Sequence, residues 1–181
     1  MMISLEKAKL NDDIKAIKSL YLLAFPKEER KPFWLMMKKA KLGEMEILAI
    51  KDGSELLGLM ITIPRDKYVL IDYFAVLPEK RCGGVGTEAL KLLGEYYGGK
   101  TLVIEIETPN ETAPNNDERI RRNGFYHRCG FKEVGVDILL FGVEMKLLTR
   151  GDSIDYDEYI LFYSEIFGKG ITKNIKMLKM G

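Results

Sequence analysis

The sequence predicts a mixed α/β fold: a central mixed, mostly antiparallel sheet of six to seven strands, helices on both faces, and a C-terminal helix. Three observations carry this. The apolar stretches EMEILAIKDG and SELLGLMITIP are joined at Lys51-Asp52-Gly53, and Asp-Gly between alternating hydrophobics is a strong hairpin signal. Val69 to Leu93, reading VLIDYFAVLPEKRCGGVGTEALKLL, is an apolar strand ending near Val76, a turn opened by Pro78, a glycine loop and a helix. A regular βαβαβ alternation is missing, so hairpin strands precede a strand–helix–strand unit within one mixed sheet.

The elements follow in order. MISLEKA alternates apolar and charged residues and reads as an opening strand. Asn11 or Asp12 caps a helix that places Ile14, Ile17, Leu20, Tyr21 and Ala24 on one face. It stops at Phe25-Pro26, because the residue before proline is pushed out of helical conformation. Pro32 suits the first turn of a second helix, PFWLMMKKAKL, which Gly43 ends. Arg65-Asp66-Lys67 turns the chain into the strand YVLIDYFAV. Beyond the glycine loop and its helix come the strand TLVIEIETP, the polar loop ETAPNNDERI, and a short helix near ERIRRNGFYHRCG. KEVGVDILLFG and VEMKLLTR read as a strand pair. DSIDYDEYILFYSEIFG reads as a final amphipathic helix, with a basic tail behind it. Residues 1–150 form the main domain on this reading. Residues 151–181 form a helical extension packed on that domain or on a second subunit, so the chain is a monomer or a homodimer.

Composition excludes several classes. The 181 residues suit one domain of ordinary size, or one with a small appendage, and 46% are hydrophobic, enough for a core. Basic and acidic side chains number 28 and 27, leaving a net charge of +1, without the basic excess of a nucleic-acid binder. No apolar run approaches the roughly 18 residues that span a bilayer, and the start, MMISLEKAKL, lacks a signal-peptide core. Cys82 and Cys129 are too few for a disulfide scaffold and are expected as free thiols in a cytoplasmic protein. With the lone His127 they do not complete a zinc site, which usually takes four ligands, so no metal is expected.

The glycine loop carries the chemistry. Gly83, Gly84 and Gly86 allow backbone conformations and close approaches barred to other residues. The helix behind them presents unpaired N–H groups and its positive dipole end. Strand, glycine loop and helix start together make an anion site, most naturally for phosphate. Gly94 to Thr101 satisfies the P-loop pattern GxxxxGK[ST], but there a helix comes first and a strand after, the reverse of what a P-loop needs. Gly84-x-Gly86-x-x-Ala89 matches the dinucleotide fingerprint, with Glu105 and Glu107 about 20 residues on, where a ribose-binding acid belongs. That reading makes the protein an NAD-dependent oxidoreductase. Against it, Leu77 to Gly83 separate the fingerprint from its strand, and no second mononucleotide half is evident. A plain turn of three glycines is the remaining structural alternative.

Taken whole, Arg81-Cys82-Gly83-Gly84-Val85-Gly86 resembles the [QR]-x-x-G-x-[GA] loop of the GNAT acetyltransferases, which holds the pyrophosphate of acetyl-CoA. The likeness includes the strand leading to Val76-Leu77-Pro78. It returns in Phe125-Tyr126-His127-Arg128-Cys129-Gly130-Phe131, which looks like the family's FYxxxGF segment. In element order it covers Ile3 to Leu148.

The resemblance implies a GNAT-like fold and acetyl-CoA as co-substrate. It places Arg81, Cys82, Gly83, Gly84, Val85, Gly86 and Thr87 around the pyrophosphate. Phe74, Ala75 and Val76 would lie along the pantetheine arm, with the Val76 N–H polarising the thioester carbonyl. Tyr126 takes the position of the tyrosine that protonates the leaving thiolate in many members, and it would also touch the cofactor. An ordinary phenol suits this donation; the alternative is an amphipathic-helix tyrosine packed beside Phe125 and Phe131. For the base, Glu105 comes first and Asp72 second, with a water relay as the alternative. His127 points about 100° away from Tyr126 on a helix and reads as a surface residue. The connector AFPKEERKPF reads either as a solvated loop or as a lip of the acceptor pocket, contributing Glu29, Arg30, Phe33 and Trp34. The implied function is an N-acetyltransferase acting on a primary amine of a small molecule or peptide. The non-enzyme alternative is an acyl-CoA-binding module without turnover.

Overall fold

The computed structural model describes residues 2–9 and 11–180. The chain divides into two compact units, one running to Gly99 and the other starting at Lys100.

The first unit is built on four strands in chain order: β1 (Ile3–Lys7), β2 (Glu46–Asp52), β3 (Glu55–Arg65) and β4 (Tyr68–Val76). Each pairs antiparallel with the next. The Asp-Gly hairpin forms as expected: β2 ends at Asp52 and Gly53 takes φ +60°, a conformation that costs glycine nothing. Helix α1 (Asn11–Ala24) buries Ile17, Leu20 and Tyr21, whose spacing puts them on one stripe. It stops before Pro26. Pro32 caps α2 (Phe33–Lys41), which buries Met36. Helix α3 (Val85–Tyr96) buries Val85, Ala89, Leu90 and Leu93, one face at the helical period. It runs up to Tyr96, and β5 begins at Thr101. Gly94 to Thr101 therefore closes a helix and opens a strand, and its P-loop spelling is accidental.

The second unit also has four strands. β5 (Thr101–Glu107) pairs antiparallel with β7 (Val143–Arg150), β7 with β6 (Lys132–Leu140), and β6 with β8 (Ile175–Met180). Helix α4 (Asn116–Arg128) precedes β6, and α5 (Tyr156–Phe167) lies between β7 and β8. Asp155 caps α5 by accepting from the Glu158 N–H at 2.8 Å. Tyr159, Phe162 and Tyr163 of α5 are fully buried.

The described residues thus hold eight strands, not six to seven. The extra one is β8, in the segment expected as a basic tail. IKMLKM carries only a short, lysine-broken alternation, which is weak evidence for a strand by itself; the open edge of β6 supplies its ladder partner. Among the described residues, no helix is long and apolar enough to cross a membrane.

Candidate active site

In the first unit the site begins at a bulge. Ile61 pairs with Tyr73 and Thr62 with Ile71, so Asp72 of β4 is skipped in the pairing with β3. Such a bulge re-aims a side chain. The Asp72 carboxylate, with a side chain only 1% exposed, meets Lys31 Nζ at 2.6 Å through Oδ1, while Oδ2 is buried with no hydrogen-bond partner. Next to it, the Tyr73 hydroxyl accepts from the Lys31 N–H (3.0 Å) and donates to the Glu29 carbonyl (2.8 Å). Tyr21 donates to the Lys31 carbonyl at 2.9 Å. The α1–α2 connector is therefore fastened to β4 by the Tyr73 phenol and one ion pair, and to α1 by the Tyr21 phenol. Of its expected acceptor residues, Arg30 donates to the Leu22 carbonyl at 3.4 Å and Phe33 packs on the Tyr21 ring. Trp34 stands 68% exposed on α2.

β4 continues through Phe74, Ala75 and Val76 to the glycine loop. Gly58 lies opposite Val76, so close that an added Cβ would sit 2.5 Å from the Ala75 carbonyl oxygen. A side chain there would drive β3 and β4 apart at the end that leads into the loop. Arg81 Nε donates to the Val76 carbonyl at 3.1 Å, tying the loop to the strand. Cys82 adopts φ +64°, in the left-handed region. That strain costs a non-glycine residue about 1–2 kcal/mol and is typical of ligand-binding loops. Gly84 is the N-cap of α3 at φ +79°; no side chain caps this helix start, and nothing lies within 4 Å of where a Cβ would stand. Val85 and Gly86 thus begin a twelve-residue helix whose positive dipole end opens on the glycine loop. These residues fit a pyrophosphate.

In the second unit, β5 holds the two acids that sequence reasoning placed on one face. Glu105 Oε1 accepts from Tyr159 and Tyr163, at 2.5 and 2.7 Å. Glu107 is clamped by Arg119 (2.8 Å) and Arg122 (3.0 Å) of α4. Tyr126 is buried on α4, its ring edge-on to Phe125 and Phe131. Burial pushes its phenol well above the ordinary range, only partly offset by Arg122. His127 is partly exposed, its Nδ1 3.1 Å from the Phe131 carbonyl and its Nε2 3.8 Å from Glu133.

Sequence reasoning missed Lys31, Gly58, Tyr159 and Tyr163. An acid interrupting the apolar run VLIDYFAV was a signal for Asp72; nothing local names its partner in the connector.

A strand end, a glycine loop and an uncapped helix start give the first unit a backbone geometry that suits a phosphate-bearing ligand. A model of the acetyltransferase (GNAT) family matches residues 14–131, and the chain belongs to that family, the acetyl-CoA-dependent N-acetyltransferases. Among solved structures, it is similar to a GNAT-family protein from Bacteroides thetaiotaomicron (22% identity, TM-score 0.74, covering 91% of this chain and 98% of that one). It is also similar to an aminoglycoside 6'-N-acetyltransferase complexed with coenzyme A (17%, TM-score 0.64, 86% and 100%). A third is the ribosomal-protein-S18-alanine N-acetyltransferase from Escherichia coli (16%, TM-score 0.61, 85% and 96%). No curated protein sequence matches the chain.

Proposed function

We propose that the protein transfers the acetyl group of acetyl-CoA directly to a primary amine of a small molecule or peptide. The observation that carries this is the uncapped start of α3 behind Gly84, with Arg81 tied back to Val76. Acetyl-CoA supplies an acetyl group activated as a thioester. The N–H groups of Gly84, Val85, Gly86 and Thr87, with Cys82 and Gly83 shaping the turn and Arg81 nearby, hold the pyrophosphate. Backbone groups of Phe74, Ala75 and Val76 hold the polyamide arm, and the Val76 N–H meets the negative charge that develops on the carbonyl oxygen. Such a donor is usually worth more than any proton transfer.

Tyr126 gives its proton to the departing sulfur. Burial keeps the phenol protonated throughout the working range but also makes it a weaker acid than an ordinary phenol. The support for this role is therefore its place in the Phe125–Phe131 segment, with kcat of the Tyr126→Phe variant as the test. The amine loses its proton to a carboxylate, directly or through water. Glu105 and Asp72 are the two acids for this role, and the Oδ2 of Asp72, buried and unpartnered, supports the second. Glu29, Arg30, Phe33 and Trp34 border the acceptor. The names of the structural neighbours, an aminoglycoside acetyltransferase and a ribosomal-protein acetyltransferase, support an amine acceptor of either size. Two cysteines outside any disulfide suit a cytoplasmic setting.

A thermal-shift panel with acetyl-CoA, CoA, NAD and ATP tests the ligand. At 100 times its dissociation constant a ligand adds about 2.7 kcal/mol, which here raises Tm by roughly 5–10 °C. A rise with both CoA forms alone is expected; a rise with NAD instead overturns the reading. Release of free thiol from acetyl-CoA on adding amines separates turnover from binding alone.

A further inference from the structure

Away from the glycine cradle, the first unit carries a furrow of about 580 Å³ between α1 and α2. Its apolar part comes from Ile14 on α1 and from Phe33, Trp34 and Met37 on α2. Its remaining lining is four lysines, Lys15 and Lys18 from α1 and Lys38 and Lys41 from α2. The helical period puts them there: Trp34, Lys38 and Lys41 fall at i, i+4 and i+7, and Ile14 and Lys18 at i and i+4. Lys15 has only an exposed contact with Asp12, at 3.9 Å. Lys18, Lys38 and Lys41 have no ion pair among the described residues.

This concentration of charge is local, because the whole chain carries only +1. Like charges at i, i+3 on each helix repel, and the only tryptophan of the chain stands exposed between them. An anionic ligand with an apolar insertion would relieve both. We propose that the furrow docks an acidic peptide segment of a partner protein, one large apolar side chain lying against Trp34 and carboxylates along the two lysine pairs. A peptide is favoured over nucleic acid because most of the apolar lining is aliphatic or half-buried, which suits a side chain better than stacked bases. The acidic stretch of this chain itself is already engaged: Ile154 is buried and Asp155 caps α5. The furrow shares Phe33 and Trp34 with the proposed acceptor border, but peptide binding along its lysines is read directly and does not depend on acetyl transfer.

The test titrates the full chain into a fluorescein-labelled peptide, DEDELEDED, at low salt. Saturable binding is expected, weakened about tenfold by K18A/K38A/K41A, the ~1.4 kcal/mol that three exposed ion pairs supply. W34A, or serine in place of the peptide leucine, should weaken it severalfold. The triple variant should keep the acetyl-CoA thermal shift, showing that it folds. No saturable binding, equal affinity for the triple variant, or indifference to the leucine would each overturn the proposal. Tighter binding of oligothymidylate would overturn it in favour of nucleic acid. Self-association in sedimentation that the triple variant abolishes would assign the furrow to a second copy instead.

Discussion

Lys31 and Asp72 stand 41 residues apart in sequence and 2.6 Å apart in space. The lysine side chain is 17% exposed and the aspartate 1%, so removing the lysine leaves a buried carboxylate with no cation. Lys31→Met is therefore expected to lose ~3 kcal/mol, lowering Tm by roughly 5–10 °C in thermal unfolding. A loss below ~1 kcal/mol would put the pair among exposed ones. The double variant with Asp72→Asn should recover part of the loss.

At Gly58 a substitution meets backbone. An alanine Cβ would lie 2.5 Å from the Ala75 oxygen and 3.2 Å from the Val76 Cα, and neither can swing aside as a flexible side chain would. Gly58→Ala should cost roughly 2–3 kcal/mol, in the range of overpacked sites, and should weaken acetyl-CoA binding as β3 is forced away from β4. Gly43→Ala is the control, with positive φ but open space, and should cost only about 1–2 kcal/mol of left-handed strain. Calorimetry of both variants with and without acetyl-CoA separates the two effects.

Tyr126 is held by ring packing rather than by its hydroxyl, so Tyr126→Phe keeps the ring in place. If the phenol protonates the leaving sulfur, kcat falls at least ~100-fold while the acetyl-CoA dissociation constant stays within twofold. Because burial raises its pKa above the ordinary 10, no descending limb of the wild-type kcat profile below pH 10 should belong to this group. An unchanged kcat removes the role.

Glu46 predicts an acid-sensitive hinge of stability. Burial alone would raise its pKa, but hydrogen bonds from Lys7 and Tyr97 prevail and hold it below 4.5. A depressed carboxylate stabilises the fold above its unfolded pKa, and that contribution fades as pH falls through the folded value. Glu46→Gln should therefore be less stable than wild type at pH 7. The two Tm curves should converge on acidification below pH 4.5, with the variant's slope the flatter. Parallel curves would show that Glu46 does not couple protons to folding.

The parts of the fold and site that were legible are those encoded within a few residues. Asp52-Gly53 made its hairpin, Pro26 and Pro32 bounded their helices, and Gly84 took the left-handed cap of α3. Each is a local backbone preference, which acts without reference to distant chain. Asp72 was visible for the same reason, as a charge inside an apolar strand. β8 was not, because IKMLKM becomes a strand through the ladder that β6 offers.

The sequence by itself thus determined the order of elements as far as α5, the glycine loop ahead of α3 and, through two separated motifs, the family. Only the tertiary structure decided what the acids meet: Lys31 for Asp72, two phenols of α5 for Glu105, and two arginines of α4 for Glu107. Strand register, bulge position and helix docking set those partnerships. They arise from packing between segments tens of residues apart, where no spacing along the chain records which side chains will face each other.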